Sequence, residues 1–190
     1  MTLLALVGCS AGSEPATSES PSATSSAGAT DAPTESATPS ATPSPTPTPA
    51  GTTVTLDCDE VLTPDDVYAF NPNYGTAPDY SPEPGSNVAT AVEYDGLACA
   101  IMNQTSGDII SIGIAAPNEV LRNQMYDAAV AQSQPVPTYG DAPAVEGFFS
   151  QANGEAQIFT DTYWVTMQSV DFIEPGDSQG LMAAVISHLP

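Results

Sequence analysis

The sequence predicts an α+β domain in which an antiparallel sheet packs against two helices, with a short additional helix at its N-terminal end. Apolar residues that alternate along short segments occur in adjacent pairs joined by turn sequences, as expected of antiparallel hairpins. Two longer segments carry apolar residues at helical spacing. Runs of strands interrupted by two such helices favour a sandwich-like domain with one sheet and one helical layer, spanning residues 53–190.

The first helix of this domain is predicted to begin at Thr63. Threonine is a good N-cap, Pro64 suits the first helical position, and the acids after it face the positive end of the helix dipole. Asn71 before Pro72 ends the helix. A long loop rich in proline and glycine follows, and residues 88–94 are expected to form a further strand.

Two strands and a helix are predicted next. The strands form a hairpin around the turn at 105–108. Their alternating apolar residues are Leu97, Cys99, Ile101 and then Ile110, Ile112, Ile114. The helix opens at 117–119 and ends before Pro135. Its apolar stripe is Leu121, Met125, Ala128 and Ala129.

The C-terminal third repeats the order of strands followed by a helix. Asn153-Gly154 is a strong turn signal and predicts a hairpin between residues 145–151 and 155–160. Residues 163–172 are predicted to form a third strand, and a last helix is predicted to start at Asp177. The expected buried face of that helix is Leu181, Met182, Val185, Ile186 and Leu189.

The N-terminus carries an apolar stretch that ends in Leu6-Val7-Gly8-Cys9. This run resembles a bacterial lipobox, in which the preceding peptide is removed and the cysteine receives lipid. Residues 1–8 are too short to span a membrane and lack a basic region, so we interpret them as the remnant of a signal peptide. The resemblance implies that Cys9 anchors the protein to the outer face of the cell membrane. The alternative is a coincidental match in an apolar N-terminus.

Residues 9–52 are predicted to form a disordered tether after the lipidated cysteine. Serine, threonine, alanine, proline and glycine make up almost all of this segment. Such a composition cannot bury enough apolar area to offset the entropy of ordering the chain. The same composition permits O-glycosylation.

The charge of the chain is strongly one-sided, with 23 acidic residues against the single base Arg122 and a formal net charge of -22. Nucleic acids and anionic lipid surfaces bind proteins through clustered lysine and arginine side chains, which this chain lacks. We therefore expect neither as a binding partner of the domain. Cationic ligands, metal ions or a basic protein remain electrostatically compatible. The plainer interpretation is that the acidity keeps an exported surface soluble.

The three cysteines are accounted for if Cys9 carries lipid, because Cys58 and Cys99 then remain as a pair. Disulfides persist outside the cytoplasm, and a bridge between these two residues is expected to stabilise the domain by roughly 4 kcal/mol. The alternative is two free, buried cysteines.

Taken together, these features resemble the small uncharacterised surface lipoproteins of actinobacteria. They are the lipobox, the Ser/Thr/Pro tether, an early cysteine in an acidic turn (Asp57-Cys58-Asp59-Glu60), a second cysteine on a strand (Gly96-Leu97-Ala98-Cys99), and a C-terminal apolar helix. The resemblance implies a lipid anchor and a disulfide, and it implies no reaction.

Two groups of residues invite a chemical interpretation that we set aside. Five acids cluster near the first helix and contain oxygen ligands suited to calcium, but their spacing does not match an EF-hand. They are Asp57, Asp59, Glu60, Asp65 and Asp66, and helix capping explains them without a metal. His188, the only histidine, lies at a helix end, where a cation favours the dipole. We predict neither a catalytic residue nor a metal site.

Two further candidates concern binding. Arg122 is expected to pair with an acidic side chain, and the alternative is a clamp for a ligand carboxylate. Aromatic residues on and around the Pro-rich loop, which include Tyr68, Phe70, Tyr74 and Tyr80, form a possible interaction surface; the alternative is a lid folded over the sheet.

No familiar catalytic motif appears in the sequence, and this favours a binding role over an enzymatic one. We therefore expect a non-catalytic surface lipoprotein that binds an envelope protein or a small ligand without a cofactor. The alternative is an envelope hydrolase with a carboxylate-based site.

Overall fold

The computed structural model describes residues 50–190, and the predictions for Cys9, for residues 1–8 and for most of the tether lie outside this part of the chain. Five α-helices and eight strands are found in the described part. The helices are α1 (Cys58–Val61), α2 (Pro64–Phe70), α3 (Asn87–Glu93), α4 (Glu119–Gln132) and α5 (Pro175–His188). The strands are β1 (Gly51–Thr52), β2 (Tyr74–Thr76), β3 (Leu97–Asn103), β4 (Ile109–Pro117), β5 (Gln134–Pro135), β6 (Val145–Ser150), β7 (Glu155–Thr160) and β8 (Trp164–Gln168).

The strands form one antiparallel sheet in the order β2-β3-β4-β8-β7-β6-β5, and β1 pairs with the end of β4. The hairpins β3–β4 and β6–β7 are those that the sequence predicts, with Cys99 opposite Ile112 in the first. In the second, Gly154 adopts a positive φ of 60° in the turn, a conformation that glycine accepts without strain. The α+β fold class is confirmed.

One face of the sheet packs against α1, α2 and α5. Alternating isoleucines of β4 point into this core, together with Val165 and Met167 of β8. The helices contribute Val61, Val67, Leu181, Met182 and Val185, all buried. Burial of each large apolar side chain stabilises the fold by about 1.5–3 kcal/mol, so this core holds the three helices on the sheet.

The opposite face packs against α3 and α4, so helices cover both faces of the sheet instead of forming the single helical layer predicted. Ala91 of α3 and Ala129 of α4 lie in a second core with Phe148, Phe159 and Trp164. The reason is visible in β4, where the residues that alternate with the isoleucines are small, and two of them, Gly113 and Ala115, are buried, so the second face of the strand can also be covered by a helix.

The strand expected at 88–94 is wrong, because this segment forms α3. Ser86 caps the helix by accepting a hydrogen bond from the Ala89 N–H at 3.1 Å. Val88 and Ala91, three positions apart, are its buried residues. Their spacing is that of a helix face, and the β-branched content of the segment obscured it.

Other boundaries differ by a few residues from those predicted. The third C-terminal strand is shorter, ending at Gln168, because the chain turns at 170–172. The last helix begins at Pro175. Asp177, where the helix was predicted to start, is its third residue and forms a capping box with the N-cap residue Glu174. The sheet already includes Gly51, two residues before the predicted start of the domain.

Among the described residues, the helices are too short or too polar to cross a membrane.

Candidate ligand-binding cavity

A cavity of about 460 Å³ lies between α1, α2 and the outer edge of β3. The segment that follows β2 closes it on the remaining side, ending with Tyr80. Most of the lining is apolar. The lining residues are Cys58, Asp59, Leu62, Pro64, Val67, Tyr74, Gly75, Thr76, Ala77, Pro78, Tyr80, Ala98, Cys99, Ala100, Ile101 and Ile112.

The cavity exists because β3 is only partly covered at this edge. Strand β2 is short and pairs with β3 only from Ile101 to Asn103. Past Thr76, the chain leaves the sheet after one further hydrogen bond, from the Ala77 N–H to the Ala100 carbonyl at 3.2 Å. The alanines of β3 therefore border open space where a longer strand would otherwise pack.

A disulfide between Cys58 and Cys99 forms part of the cavity wall. It joins α1 to β3, with the two Cα atoms 5.6 Å apart. The predicted pairing is confirmed, and the alternative of two free cysteines is wrong. The bridge holds α1 against β3 at one wall of the cavity.

The four aromatic residues singled out in the sequence take different positions. Tyr74 and Tyr80 line the cavity, whereas Tyr68 of α2 is 68% exposed. Phe70 packs edge-on against Tyr74 with ring centroids 5.5 Å apart. Tyr74 is buried, and its hydroxyl donates a hydrogen bond to Asp171. Burial together with this carboxylate raises the pKa of Tyr74 to about 12.

Arg122 binds a backbone carbonyl in the structure, whereas an acidic side chain was expected. Its Nε and Nη2 atoms donate to the Thr160 carbonyl at 3.1 and 2.7 Å. No ion pair of Arg122 occurs within residues 50–190. The guanidinium therefore secures the end of β7 to α4, and it lies away from the cavity.

Three of the five acidic residues around α1 and α2, Asp57, Glu60 and Asp66, take part in capping boxes of these helices. Glu60 and Asp66 each accept a hydrogen bond from the backbone N–H of their N-cap residue, Asp57 and Thr63. No group of three or more acidic, histidine or cysteine side chains suited to a metal ion occurs in the described part of the chain.

His188 pairs with Asp66 across α5 and α2. Its Nε2 lies 3.0 Å from Oδ2 of Asp66, which also accepts the Thr63 hydroxyl. The carboxylate therefore lies between the hydroxyl and the imidazole. In a catalytic triad the imidazole takes the central position, where it can accept the proton of the hydroxyl. The arrangement here joins two helices and does not activate Thr63.

A second, polar region lies on the opposite face of the sheet and was not identified from the sequence. Glu155 and Gln157 of β7 are 7% and 6% exposed, and they lie beside a cavity of about 100 Å³ under the end of α4. Glu155, Gln157 and Phe159 alternate along β7, so two polar residues take positions that continue an apolar row. The presence of Glu155 and Gln157 at positions where apolar residues would be expected is the only sign of this polar region in the sequence.

Comparison of the chain with protein-family models, with curated proteins and with solved structures found no match in any of the three.

Proposed function

We propose that the protein is a non-catalytic binding protein of the cell surface, held at the membrane by lipid on Cys9. We propose further that its ligand is a small molecule with an apolar body and no negative charge. The cavity beside β3 is the observation that carries the binding role. The lipobox-like run and the tether composition support the location.

The dimensions and surface of the cavity favour a small ligand. Its volume of about 460 Å³ falls within the range of roughly 300–1,000 Å³ that is typical of small-molecule sites. The alanines of β3 leave room, while Leu62, Val67 and Ile101 provide apolar contact. A polar group in the lining, the Thr76 hydroxyl, can orient the ligand.

Electrostatics exclude anionic ligands from this proposal. The lining holds one carboxylate, Asp59, and no basic side chain. The whole chain carries a net charge of -22, which repels anions at long range. An anion entering the cavity would lose hydration without gaining a counter-charge. A neutral or cationic molecule meets neither obstacle.

The alternative of a carboxylate-based hydrolase stays a prediction. Enzymes of the glycoside hydrolase kind need two carboxyl groups about 5–9 Å apart across the substrate. Asp59 is the single carboxylate in the cavity lining, so this cavity offers one half of such a pair. The binding role needs no such pair and is the better supported of the two.

The proposal can be tested with a neutral apolar fluorophore, N-phenyl-1-naphthylamine, and its anionic relative 8-anilinonaphthalene-1-sulfonate. We expect the neutral dye to bind one site in residues 50–190 with enhanced fluorescence and the anionic dye to bind far more weakly. Ala77→Leu should weaken binding by filling the cavity. Ala183→Leu, on the exposed side of α5, makes the same exchange elsewhere and should leave binding unchanged.

Equal effects of the two leucine variants, or equal binding of the two dyes, would show that the dye adheres to the surface and not to the cavity. In that case the binding role loses its basis. Tyr80→Ala provides a further check, because loss of this wall should weaken dye binding without disturbing the buried core.

The proposed anchor has a separate test. Cys9→Ser removes the atom that would carry lipid, so the full-length protein should leave the membrane fraction and appear in the medium or as an unprocessed precursor. Cys58→Ser serves as the matched control, because its sulfur is in the disulfide. A membrane fraction unchanged by Cys9→Ser would refute the anchor.

A further inference from the structure

The second face of the sheet carries a polar end next to an aromatic end. Across β6, β7 and β8, the row Phe148–Gln157–Thr166 lies beside the row Ser150–Glu155–Gln168. The aromatic end, around Trp164, packs under α3 and α4. The polar end is also covered, by the first residue of α3 and the last turn of α4. Polar side chains are thus enclosed where apolar packing would be expected.

Glu155 is the charged member of this region. Its Oε1 accepts hydrogen bonds from the Asn87 amide and from the Thr166 hydroxyl, the latter at 2.8 Å. Its Oε2 accepts one from the Asn153 amide at 3.1 Å. All three donors are neutral. They satisfy lone pairs of the carboxylate but supply no opposite charge.

No basic side chain compensates Glu155. Arg122 and His188 are the only basic side chains of the sequence. Arg122 binds the Thr160 carbonyl at the far end of β7, and His188 pairs with Asp66 beneath the other face. Within residues 50–190 the only ion pair is that of His188. Buried charges in proteins are normally paired, and Glu155 has three neutral donors but no oppositely charged partner among the described residues.

The adjoining cavity of about 100 Å³ offers room for an external cation and a second binding group. Trp164 Nε1 donates to Gln157 Oε1 at 3.0 Å. Because an indole N–H can only donate, the atom of the Gln157 amide that faces Trp164 must be its oxygen. The amide nitrogen therefore points away from Trp164. This nitrogen makes no hydrogen bond to another described residue and is not sealed off from solvent, and Gln157 lines the cavity. The Gln157 N–H can therefore donate to an acceptor inside the cavity.

We propose that this cavity binds a small primary ammonium compound that also carries a hydrogen-bond acceptor. The ammonium group lies against the Glu155 carboxylate, and the acceptor takes the free N–H of Gln157. The two residues are two positions apart on one strand, about 6.6 Å along it, so a ligand of a few heavy atoms spans them. Apolar contact comes from Met125 and Ala128 of α4. The site is separate from the cavity beside β3.

Calorimetric titration of the full-length protein with ethanolamine and with ethylene glycol tests this proposal. The two probes have the same size and differ in one group, an ammonium in the first and a hydroxyl in the second. We expect ethanolamine to bind at least about tenfold more tightly, because a hydrogen bond between charged groups is roughly twice as strong as a neutral one. Equal affinities for the two probes would overturn the proposal.

Two pairs of variants locate the binding. Glu155→Gln keeps the size of the side chain and removes the charge, so ethanolamine affinity should fall about tenfold or more. Glu146→Gln, a charge removal on β6, should leave it unchanged. Ala128→Leu fills the cavity and should abolish binding, whereas Ala131→Leu on the exposed side of α4 should not.

Near-ultraviolet circular dichroism of Trp164 distinguishes a lost site from a lost fold, because this tryptophan is fully buried and hydrogen-bonded to Gln157. A folded Glu155→Gln variant that binds ethanolamine as well as the parent would overturn the proposal. Sodium chloride provides the last comparison. Displacement of ethanolamine by sodium at equal concentration would assign the site to an inorganic cation and would also overturn it.

Discussion

Gly113 of β4 lies directly against Val88 of α3, so that a β-carbon on Gly113 would be 3.0 Å from the Val88 Cα. The same added carbon would lie 3.1 Å from the Ala91 β-carbon and 3.0 Å from the Thr166 methyl group. The helix therefore rests on the sheet at a point where the strand has no side chain. This close approach positions Asn87, the first residue of α3, over the Glu155 carboxylate.

Gly113→Ala is expected to destabilise the domain. The added methyl group meets backbone and packed side chains, and such overpacking costs about 1–3 kcal/mol. Urea denaturation followed by tryptophan fluorescence measures the change. Gly180→Ala in α5 is the control, because a β-carbon there meets nothing within 4 Å. It should stabilise the domain by about 0.5–1 kcal/mol through the better helix propensity of alanine. Equal effects of the two changes would contradict the packing account.

The same contact explains why α3 was not predicted. Over residues 88–94 the sequence contains β-branched residues in a short segment, and local preference alone favours a strand. What decides in favour of the helix is the Ser86 cap together with two glycines, Gly113 on β4 and Gly96 just before β3. A β-carbon on Gly96 would lie 2.5 Å from the Ala91 carbonyl oxygen, so neither glycine position has room for a side chain next to the helix. These long-range matches cannot be recognised from the local sequence, and the helical spacing of Val88 and Ala91 alone is too short a signal.

Reduction of the Cys58–Cys99 disulfide is expected to lower the free energy of unfolding. The two cysteines are 41 residues apart in sequence, and cross-linking a loop of that size restricts the unfolded chain by about 4 kcal/mol. The Cys58→Ala/Cys99→Ala double variant should show a loss of this order in urea denaturation. Adding reductant should lower the stability of the parent protein and leave the double variant unchanged. A reductant effect of similar size on both proteins would contradict the assignment.

Dye binding by the reduced protein tests whether the disulfide also shapes the cavity. The bridge holds α1 against β3, so its loss should weaken binding of N-phenyl-1-naphthylamine under conditions in which the domain remains folded. Unchanged affinity would show that the other wall residues fix the cavity on their own.

The sequence predicted the candidate site less completely than the fold. Hairpins and long helices follow from periodic patterns and turn residues, and each can be recognised within about ten residues. The cavity depends on where β2 ends relative to β3, which only the assembled sheet determines. Tyr74 and Tyr80 were identified because aromatic residues on a long loop stand out, whereas Ala98 and Ala100 contribute by being small. Small residues give no chemical signal in a sequence.

Tyr74→Phe is expected to destabilise the domain by about 1–3 kcal/mol, because it removes the hydrogen bond to a charged acceptor, Asp171. The pH dependence gives a second signature. Burial and the neighbouring carboxylate raise the pKa of Tyr74 to about 12 from an ordinary value of 10.0. The folded state therefore keeps the proton when the unfolded state loses it, and stability falls as the pH rises from about 10 to 12.

In the Tyr74→Phe variant this alkaline loss of stability should be smaller, as measured by urea denaturation at pH 9, 10 and 11. Tyr68→Phe is the matched control, since Tyr68 is exposed on α2. An alkaline loss that is the same in parent and Tyr74→Phe proteins would show that other groups cause it.

Asp66 gives the domain an acid-dependent contribution to stability. Its hydrogen bond from the Thr63 hydroxyl, together with a bond from the Thr63 backbone and the nearby His188, holds the pKa of Asp66 below its ordinary value of 3.8. As the pH falls, the unfolded state takes up the proton first. The contribution is therefore complete above the ordinary pKa and is lost as the pH falls through the lower pKa of the folded state.

Asp66→Asn should accordingly lower stability at pH 7, by about 1 kcal/mol for the weakened capping box, and should reduce the loss on acidification below pH 4. Asp65→Asn changes the neighbouring, exposed carboxylate and should alter neither quantity appreciably. Thermal denaturation at pH 7 and at steps between pH 5 and pH 2 measures both effects. The Asp66→Asn and parent curves should converge at the acid end, because Asp66 is then protonated in both states of the parent. If the stability difference between the parent and Asp66→Asn proteins stayed constant across this pH range, protonation of Asp66 would not be the cause of the acid-dependent loss of stability.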